Sequence, residues 1–567
     1  MLKFRRSRFL VGAALGLMGA VALAAEPSGE KRDPIAELQA AAVKSNSSDF
    51  GHWGHDPSNY KMWGTHSNRL IPIYTFGTKG AGKGVDLDSY TGANSLYRNE
   101  GKIKELYGYD APDTLNSKAE YCDQTDIYRI QRAAFDAGKK YVFLIVFDGM
   151  DWQTTRAAAI YQSGKVSYDS GRGHGLHFQD YTAGGTTQFG FMVTSPHNEG
   201  TDVDVNTQTV KNPNGKYRGG YSVERGGPNP WTPGNDKEYP ITQPKNAKLL
   251  HAYTDSSSSA TSMTTGIKTY NNCVNVDYAG VQVKTIAHEV QKEGFAVGAV
   301  SSVPICHATP AAAYAHNVHR DDYQDLSRDQ LGLKSISHPD NPLPGLDVLI
   351  GGGYGLIVKG PAEEKKARGV EAQGDNFVPG NLYLPAADQA AVDVKNGGKY
   401  EVATRTSGRK GAEVLREAAG KAAAEKHRLL GFFGVGSAKG HLPFRTADGG
   451  YDPVQGRAKE VESYTPEDIS ENPTLVDMAE SAITVLSKNP KGFWLMIEAG
   501  DVDWANHNNN IDDSIGATIS GDNMVKSVTD WVEKNSNWKD SLVIVTADHG
   551  HYLVIEKPEL LIPTAKK

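Results

Sequence analysis

The sequence predicts an α/β fold, with a large, mostly parallel central sheet and helices on both its faces. Three observations carry this. Several short runs of Val, Ile, Leu and Phe are apolar throughout rather than alternating, as strands buried on both faces are. Ala-rich segments of helical character lie between them. Three of the runs end in acidic residues, where open α/β sheets place their sites.

In chain order, the predicted strands are "KYVFLIVFDGM" (140–150), "GFAVGAVSS" (294–302), "LDVLIGGG" (346–353), "LLGFFGV" (429–435), "GFWLMIEAG" (492–500) and "SLVIVTADHG" (541–550). "QTDIYRIQRAAFDAGKK" (124–140) and "GAEVLREAAGKAAAEKHRLL" (411–430) read as helices between strands. Two regions depart from this rhythm. Residues 195–245 are polar and rich in Gly, Pro and Asn, and read as an elaborated loop or small subdomain; residues 355–410 read as a second insertion.

The first 24 residues are expected to be a cleaved export signal: a basic start, "MLKFRRSRFL", an apolar run, and Ala22-Leu23-Ala24 as the cleavage site. Arg5-Arg6 with Phe9-Leu10 is similar to a twin-arginine signal in imperfect register. The protein is therefore expected to be periplasmic or secreted, with residues 25–567 forming one domain. No later stretch has the run of apolar residues that a membrane span needs. Without the leader, 56 Lys and Arg stand against 67 Asp and Glu, a net charge of −11. Such a surface argues against nucleic acid as the main partner. Cys122, Cys273 and Cys306 cannot all pair within one chain and lack C-x-x-C spacing, so neither a disulfide framework nor a cysteine zinc site is expected.

Three strand ends carry metal-ligand chemistry: Asp148, Glu498, and the pair Asp548-His549. A lone strand-end Asp commonly just caps a loop; three in one chain make coincidence a weak account. Asp503 and His507, in "AGDVDWANH", are four apart and share one face of a helical turn, from which both can grip an ion. "HAYTDSSSSATSMTTGIKT" (251–269) places serines after Asp255 and before a helical stretch. A serine at a helix N-terminus sits among free N–H groups, suited to becoming an alkoxide and then carrying phosphate. "CHATPAAAYAHNVHR" (306–320) offers His307, Thr309 and Arg320, whose guanidinium can fork two phosphate oxygens.

Together and in this order, "FDGM", "TDSSSSATSMTTG", "HATPAAAYAHNVHR", "EAGDVDWANH" and "TADHGH" resemble the alkaline phosphatase family. The resemblance implies a phosphomonoesterase with two zinc ions, one magnesium ion and a serine nucleophile. By motif position the nucleophile is Ser256 and the phosphate clamp Arg320. Asp148, Asp548 and His549 are implied for one zinc, Asp503 and His507 for the other, and Asp148, Thr309 and Glu498 for the magnesium. His307 replaces an Asp found in some members and Trp504 replaces a Lys, which leaves the third metal's identity open. The expected partners are small phosphate monoesters and, as a homodimer, a second copy of the chain.

In that family the second zinc takes one more histidine, beyond the Asp-His pair and just before a last strand. Here that histidine is sought near the other end, in "WGTHSNRLIPIYTFGTKG" (63–80), where His66 precedes a strand-like run. The chain is thus expected to be circularly permuted, with 51–80 supplying a segment that usually lies at the C-terminus. Surface termini that lie close together make such permutation cheap. The competing expectation is a truncated member with His66 as an ordinary surface residue. Of the rival ligands, His55 has no strand directly after it, and His551 is expected to point away from His549. A phosphodiesterase or nucleotide pyrophosphatase of the same superfamily is the first alternative function. An exported phosphate- or metal-binding protein without turnover is the second.

Overall fold

Ten strands share one sheet in the computed structural model, which describes residues 33–62, 64–241, 251–368, 373–458 and 460–563. The expected export signal lies outside these residues. The strands are β1 (Ile71–Phe76), β2 (Cys122–Asp123), β3 (Tyr141–Phe147), β4 (Gln188–Val193), β5 (Ala296–Pro304), β6 (Val348–Gly352), β7 (Tyr400–Thr404), β8 (Arg428–Phe432), β9 (Phe493–Ala499) and β10 (Ser541–Thr546). Their order across the sheet is β7-β8-β6-β5-β9-β3-β10-β1-β4-β2. From β7 through to β10 every pairing is parallel; β1 is antiparallel to both of its neighbours. All six predicted strands are present. Part of the segment read as a second insertion, residues 400–404, is instead the edge strand β7.

The helices that bear on the site are α1 (Thr125–Asp136), α2 (Ser256–Thr265), α3 (Ala308–Ala312), α4 (Tyr323–Leu331), α5 (Gly411–Glu425), α6 (Leu475–Leu486), α7 (Asp501–His507) and α8 (Ile511–Asn535). Adjacent residues of β9 show that both faces of the sheet are covered. The Phe493 ring lies 5.7 Å from that of Trp531 on α8, while Trp494 Nε1 donates to Gln131 on α1 at 2.8 Å. Successive strand residues point to opposite faces, so α1 and α8 lie on opposite sides. The central strands β9 and β10 are buried at every residue. Each fully buried Leu, Ile or Phe there contributes about 1.5–3 kcal/mol of transfer free energy.

Residues 198–218 form small hairpin pieces, Asn198–Glu199 against Tyr217–Arg218 and Val203–Asp204 against Thr209–Val210. They brace the segment that carries the serine run: the Arg218 carbonyl accepts from Ala252 N–H at 2.8 Å, and that of Asn198 from Asn271 N–H at 3.1 Å. The three cysteines are buried. No helix among the described residues is long and apolar enough to cross a membrane.

Candidate functional site

Parallel strands deliver their last residues to one edge, and here that edge collects carboxylates. Asp148 follows β3, Glu498 is the penultimate residue of β9, and Asp548 lies two residues beyond β10. All three are fully buried. The turn after β3 depends on Gly149 (φ 72°): a Cβ there would stand 2.8 Å from the His551 ring and 3.0 Å from Asp503 Cα. Its N–H donates to Asp548 Oδ1 at 2.9 Å, tying the two strand ends together.

Asp255 caps α2, accepting the Ser258 N–H on Oδ1 at 3.0 Å. This places Ser256 at the first helical position, with Oγ 3.2 Å from His549 Nε2 and 3.4 Å from Asp148 Oδ1. His549 Nε2 is also 3.4 Å from Asp548 Oδ2. Arg320 reaches Asp255 Oδ2 through Nη1 at 2.8 Å, so its guanidinium stands beside the serine turn. Burial alone would raise Asp255, but the Arg320 charge and hydrogen bonds hold it down to about 2.

On α7, one turn brings Asp503 and His507 together, with His507 Nε2 3.4 Å from Asp503 Oδ1. His507 Nδ1 lies 2.7 Å from the Gly64 carbonyl, which can only accept, so Nε2 keeps its lone pair toward Asp503. The His66 ring lies 3.9 Å from that of His549 and 5.1 Å from that of His507. An antiparallel bridge holds it there, Ser67 N–H donating to the Gly550 carbonyl at 2.8 Å. One ligand atom each from His66, Asp503, His507 and His551 lie within 4.8 Å of one another, as do those of Asp148, Asp503 and His549.

The expectation for His551 is overturned. Its Nε2 lies 2.7 Å from Asp503 Oδ1, and the residue is fully buried. Residues two apart on an extended segment share a side, so proximity to His549 favours convergence rather than the reverse. The left-handed backbone of Tyr552 (φ 59°) turns the chain away only after His551. His55, the other rival, is not among the converging residues.

Burial governs the electrostatics. It pushes Asp148 well above the usual carboxylate range, reinforced by the Asp503, Asp548 and Glu498 charges. It pushes Glu498 up to about 7, against the hydrogen bond from Ser301. It also keeps His66 and His549 below the usual histidine range and takes His507 down to about 4. Neutral imidazoles facing crowded carboxylates make a donor set for cations. Consistent with this, Oδ2 of Asp148 and Oδ2 of Asp548 accept no hydrogen bond among the described residues.

His307 stands slightly apart, its Nε2 3.5 Å from Arg320 Nη2 and its ring 5.6 Å from that of Trp504. Neighbours that the motifs did not point to complete this wall. The His441 ring lies 4.9 Å from that of Trp504, and Ser302 Oγ donates to Asp501 Oδ1 at 2.9 Å. The Ser302–Asp501 bond anchors the start of α7. Its spacing of 199 residues leaves no local signal.

The family model described as alkaline phosphatase matches residues 225–560, more than half of the 567-residue chain. The chain is 30% identical over 299 residues to alkaline phosphatase 4 of Bacillus subtilis, covering 52% of this chain and 49% of that protein. It is 31% identical over 322 residues to the alkaline phosphatase of Escherichia coli K12, covering 55% and 60% respectively. The matches thus span about half the length of these relatives, or a little more. The crystal structure of Thermus thermophilus alkaline phosphatase aligns over 73% of this chain and 60% of its own, with 21% identity and a TM-score of 0.42. With the family model covering more than half of its length, this chain belongs to the alkaline phosphatase family.

Proposed function

We propose that the protein is an exported, metal-dependent phosphomonoesterase that works through a phosphoserine at Ser256. The observation that carries this reading is the position of Ser256 Oγ, at the N-terminus of α2 and within 3.4 Å of both Asp148 and His549.

The donor set fits cations, since buried carboxylate oxygens lack donors and the surrounding imidazoles are neutral. Asp148, Asp548 and His549 would hold one zinc, Asp503, His507 and His66 the second, and Asp148, Thr309 and Glu498 a magnesium or another third ion. When bound, these ions supply Lewis acidity, which makes a serine hydroxyl or a water acidic near neutral pH and stabilises a leaving oxygen.

The chain's own residues do the rest. Ser256 Oγ attacks phosphorus as the ester oxygen departs on the opposite side. Arg320 receives two non-bridging oxygens in its planar fork. Asp255 holds that guanidinium and caps the helix with its other oxygen, so clamp and nucleophile share one support. His551 keeps the Asp503 carboxylate in orientation; it is a positioning residue. Water then attacks the phosphoserine and phosphate leaves.

We also propose that the chain is circularly permuted relative to its family. Two features support this: His66 lies a short way before β1, the strand antiparallel to β10, and Ile35 and Leu561 share one apolar cluster. Both ends of the described chain therefore reach the same patch.

The test is hydrolysis of an aryl phosphate and a bis-aryl phosphate by the zinc- and magnesium-supplemented protein. Preferential turnover of the monoester is expected. Preference for the diester would make the protein a phosphodiesterase. Zinc and phosphate uptake without turnover of either would make it a binding protein.

A further inference from the structure

A second convergence of metal-ligating side chains lies away from Ser256. His316 follows α3, Asp329 lies on α4, and His338 sits on the loop beyond it. One ligand atom from each lies within 4.8 Å of the others. His288, His316 and His338 line a cleft of about 760 Å³.

The hydrogen bonds assign the free lone pairs. His316 Nε2 lies 2.9 Å from the Val283 carbonyl. A carbonyl only accepts, so Nε2 carries the proton and Nδ1 presents its lone pair. No donor among the described residues meets that Nδ1, although the residue is only 5% exposed. Asp329 is held in place by neighbours: Oδ2 accepts the His316 N–H at 2.9 Å, and Oδ1 accepts from Ser335 Oγ. His338 Nδ1 lies 2.9 and 3.1 Å from the two Asp329 oxygens. The His288 ring stacks on that of His316 at 5.1 Å, but its Nδ1 accepts from Thr285 N–H, so it is a wall of the site rather than a ligand.

We propose that His316, Asp329 and His338 form a zinc-class metal site, independent of the one around Ser256. Two imidazoles and one carboxylate suit zinc and similar divalent transition ions rather than magnesium or calcium, which prefer all-oxygen shells. Ligand bonds of about 2.0–2.2 Å set tetrahedral donors about 3.3 Å apart, so the His338–Asp329 contact need open only slightly. On binding, the His338 proton resides on Nε2, and the ion takes the place it held between Nδ1 and Asp329. A fourth position would be left for water or a small anion.

The test is a zinc count on the full chain and on His338→Gln, stripped with chelator and titrated with zinc chloride. The glutamine amide can still donate to Asp329. The variant is expected to bind one equivalent of zinc fewer per chain, with aryl phosphate turnover unchanged. Equal zinc in the two proteins overturns the proposal. Anomalous diffraction at the zinc edge, from zinc-soaked crystals of the unaltered chain, gives a reading independent of the variant's folding. A peak among His316, Asp329 and His338 is expected. Peaks confined to the Ser256 site overturn this site alone; a peak here with none at His66, Asp503 and His507 upholds it while removing the proposed zinc site there. No peak at either place overturns both.

Discussion

His551 Nε2 and Asp503 Oδ1 meet at 2.7 Å, joining the segment after β10 to the first turn of α7. Asp503 Oδ1 is also 3.4 Å from His507 Nε2 and 3.8 Å from His549 Nε2. One carboxylate oxygen is thus the hub of three imidazoles, and His551 fixes its direction. Groups that orient a metal ligand are typically worth about 10- to 100-fold in metal affinity or activity. His551→Ala is expected to lower aryl phosphate turnover by about that factor and to weaken zinc binding, both measurable on the purified variant. His551→Gln, which can still donate to Asp503, is expected to recover part of the loss.

Gly149→Ala tests the same hub from beneath. The added Cβ meets the His551 ring at 2.8 Å, on a backbone of φ 72° that alanine adopts poorly. Strain of this kind costs about 1–3 kcal/mol. A lowered Tm and a turnover loss of at least about tenfold are expected. Unchanged turnover would show that the His551–Asp503 contact has no bearing on the reaction.

His66→Ala removes the ring that lies 3.9 Å from that of His549. If His66 is a ligand, zinc content falls by one equivalent and turnover collapses by about 100-fold or more, in line with losing transition-state charge stabilisation. Equal activity and zinc in variant and parent would return His66 to the role of an ordinary histidine. The permutation has its own test: a chain starting at residue 82, running to 563, then joined by a flexible linker to 33–80. Its folding and retained turnover are expected, because the new break falls in the glycine-rich turn after β1.

Arg320→Ala is expected to lower kcat/KM about 10- to 100-fold, the worth of charge-assisted hydrogen bonds to phosphate. Arg320→Lys should recover little of this, since an ammonium cannot reproduce the planar fork. A lysine variant with full activity would show that charge alone suffices at this position.

Asp512, at the start of α8, supplies a pH prediction away from the Ser256 cluster. Burial, opposed by a hydrogen bond from Ala447 N–H, pushes its carboxyl up to about 7. In the unfolded chain it titrates near 4. Folding therefore favours the protonated form, and stability is full below about pH 4 and is lost as pH rises through 7, by about 2–4 kcal/mol. Asp512→Asn is expected to be more stable than the parent at pH 8 and to lose that advantage near pH 4, as read from urea denaturation across pH. A parent chain as stable at pH 8 as at pH 5 would sink the idea.

Features that depend on neighbours in sequence are legible in the sequence itself. Continuous apolar runs read as buried strands because a strand covered on both faces has no polar side to show. Asp503 and His507 read as partners because four residues make about one helical turn. Asp148, Glu498 and Asp548 stood out because parallel strands leave their carboxyl ends on one edge. The serine run after Asp255 read as a helix start because a helix-compatible stretch follows it.

Only the tertiary structure decided the rest. The edge strand β7 is short and defined by its ladder with β8, so its composition alone placed it in an insertion. His66 reaches the site through the Ser67–Gly550 bridge, between residues more than 480 positions apart. The inward turn of His551, and its grip on Asp503, depend on the packing of Gly149 beneath it. Periodicity reports the face of an element; it carries no information on which distant elements that face will meet. Those meetings are set by strand order and by the backbone bonds that close the sheet, and they bring scattered histidines and carboxylates within reach of one another.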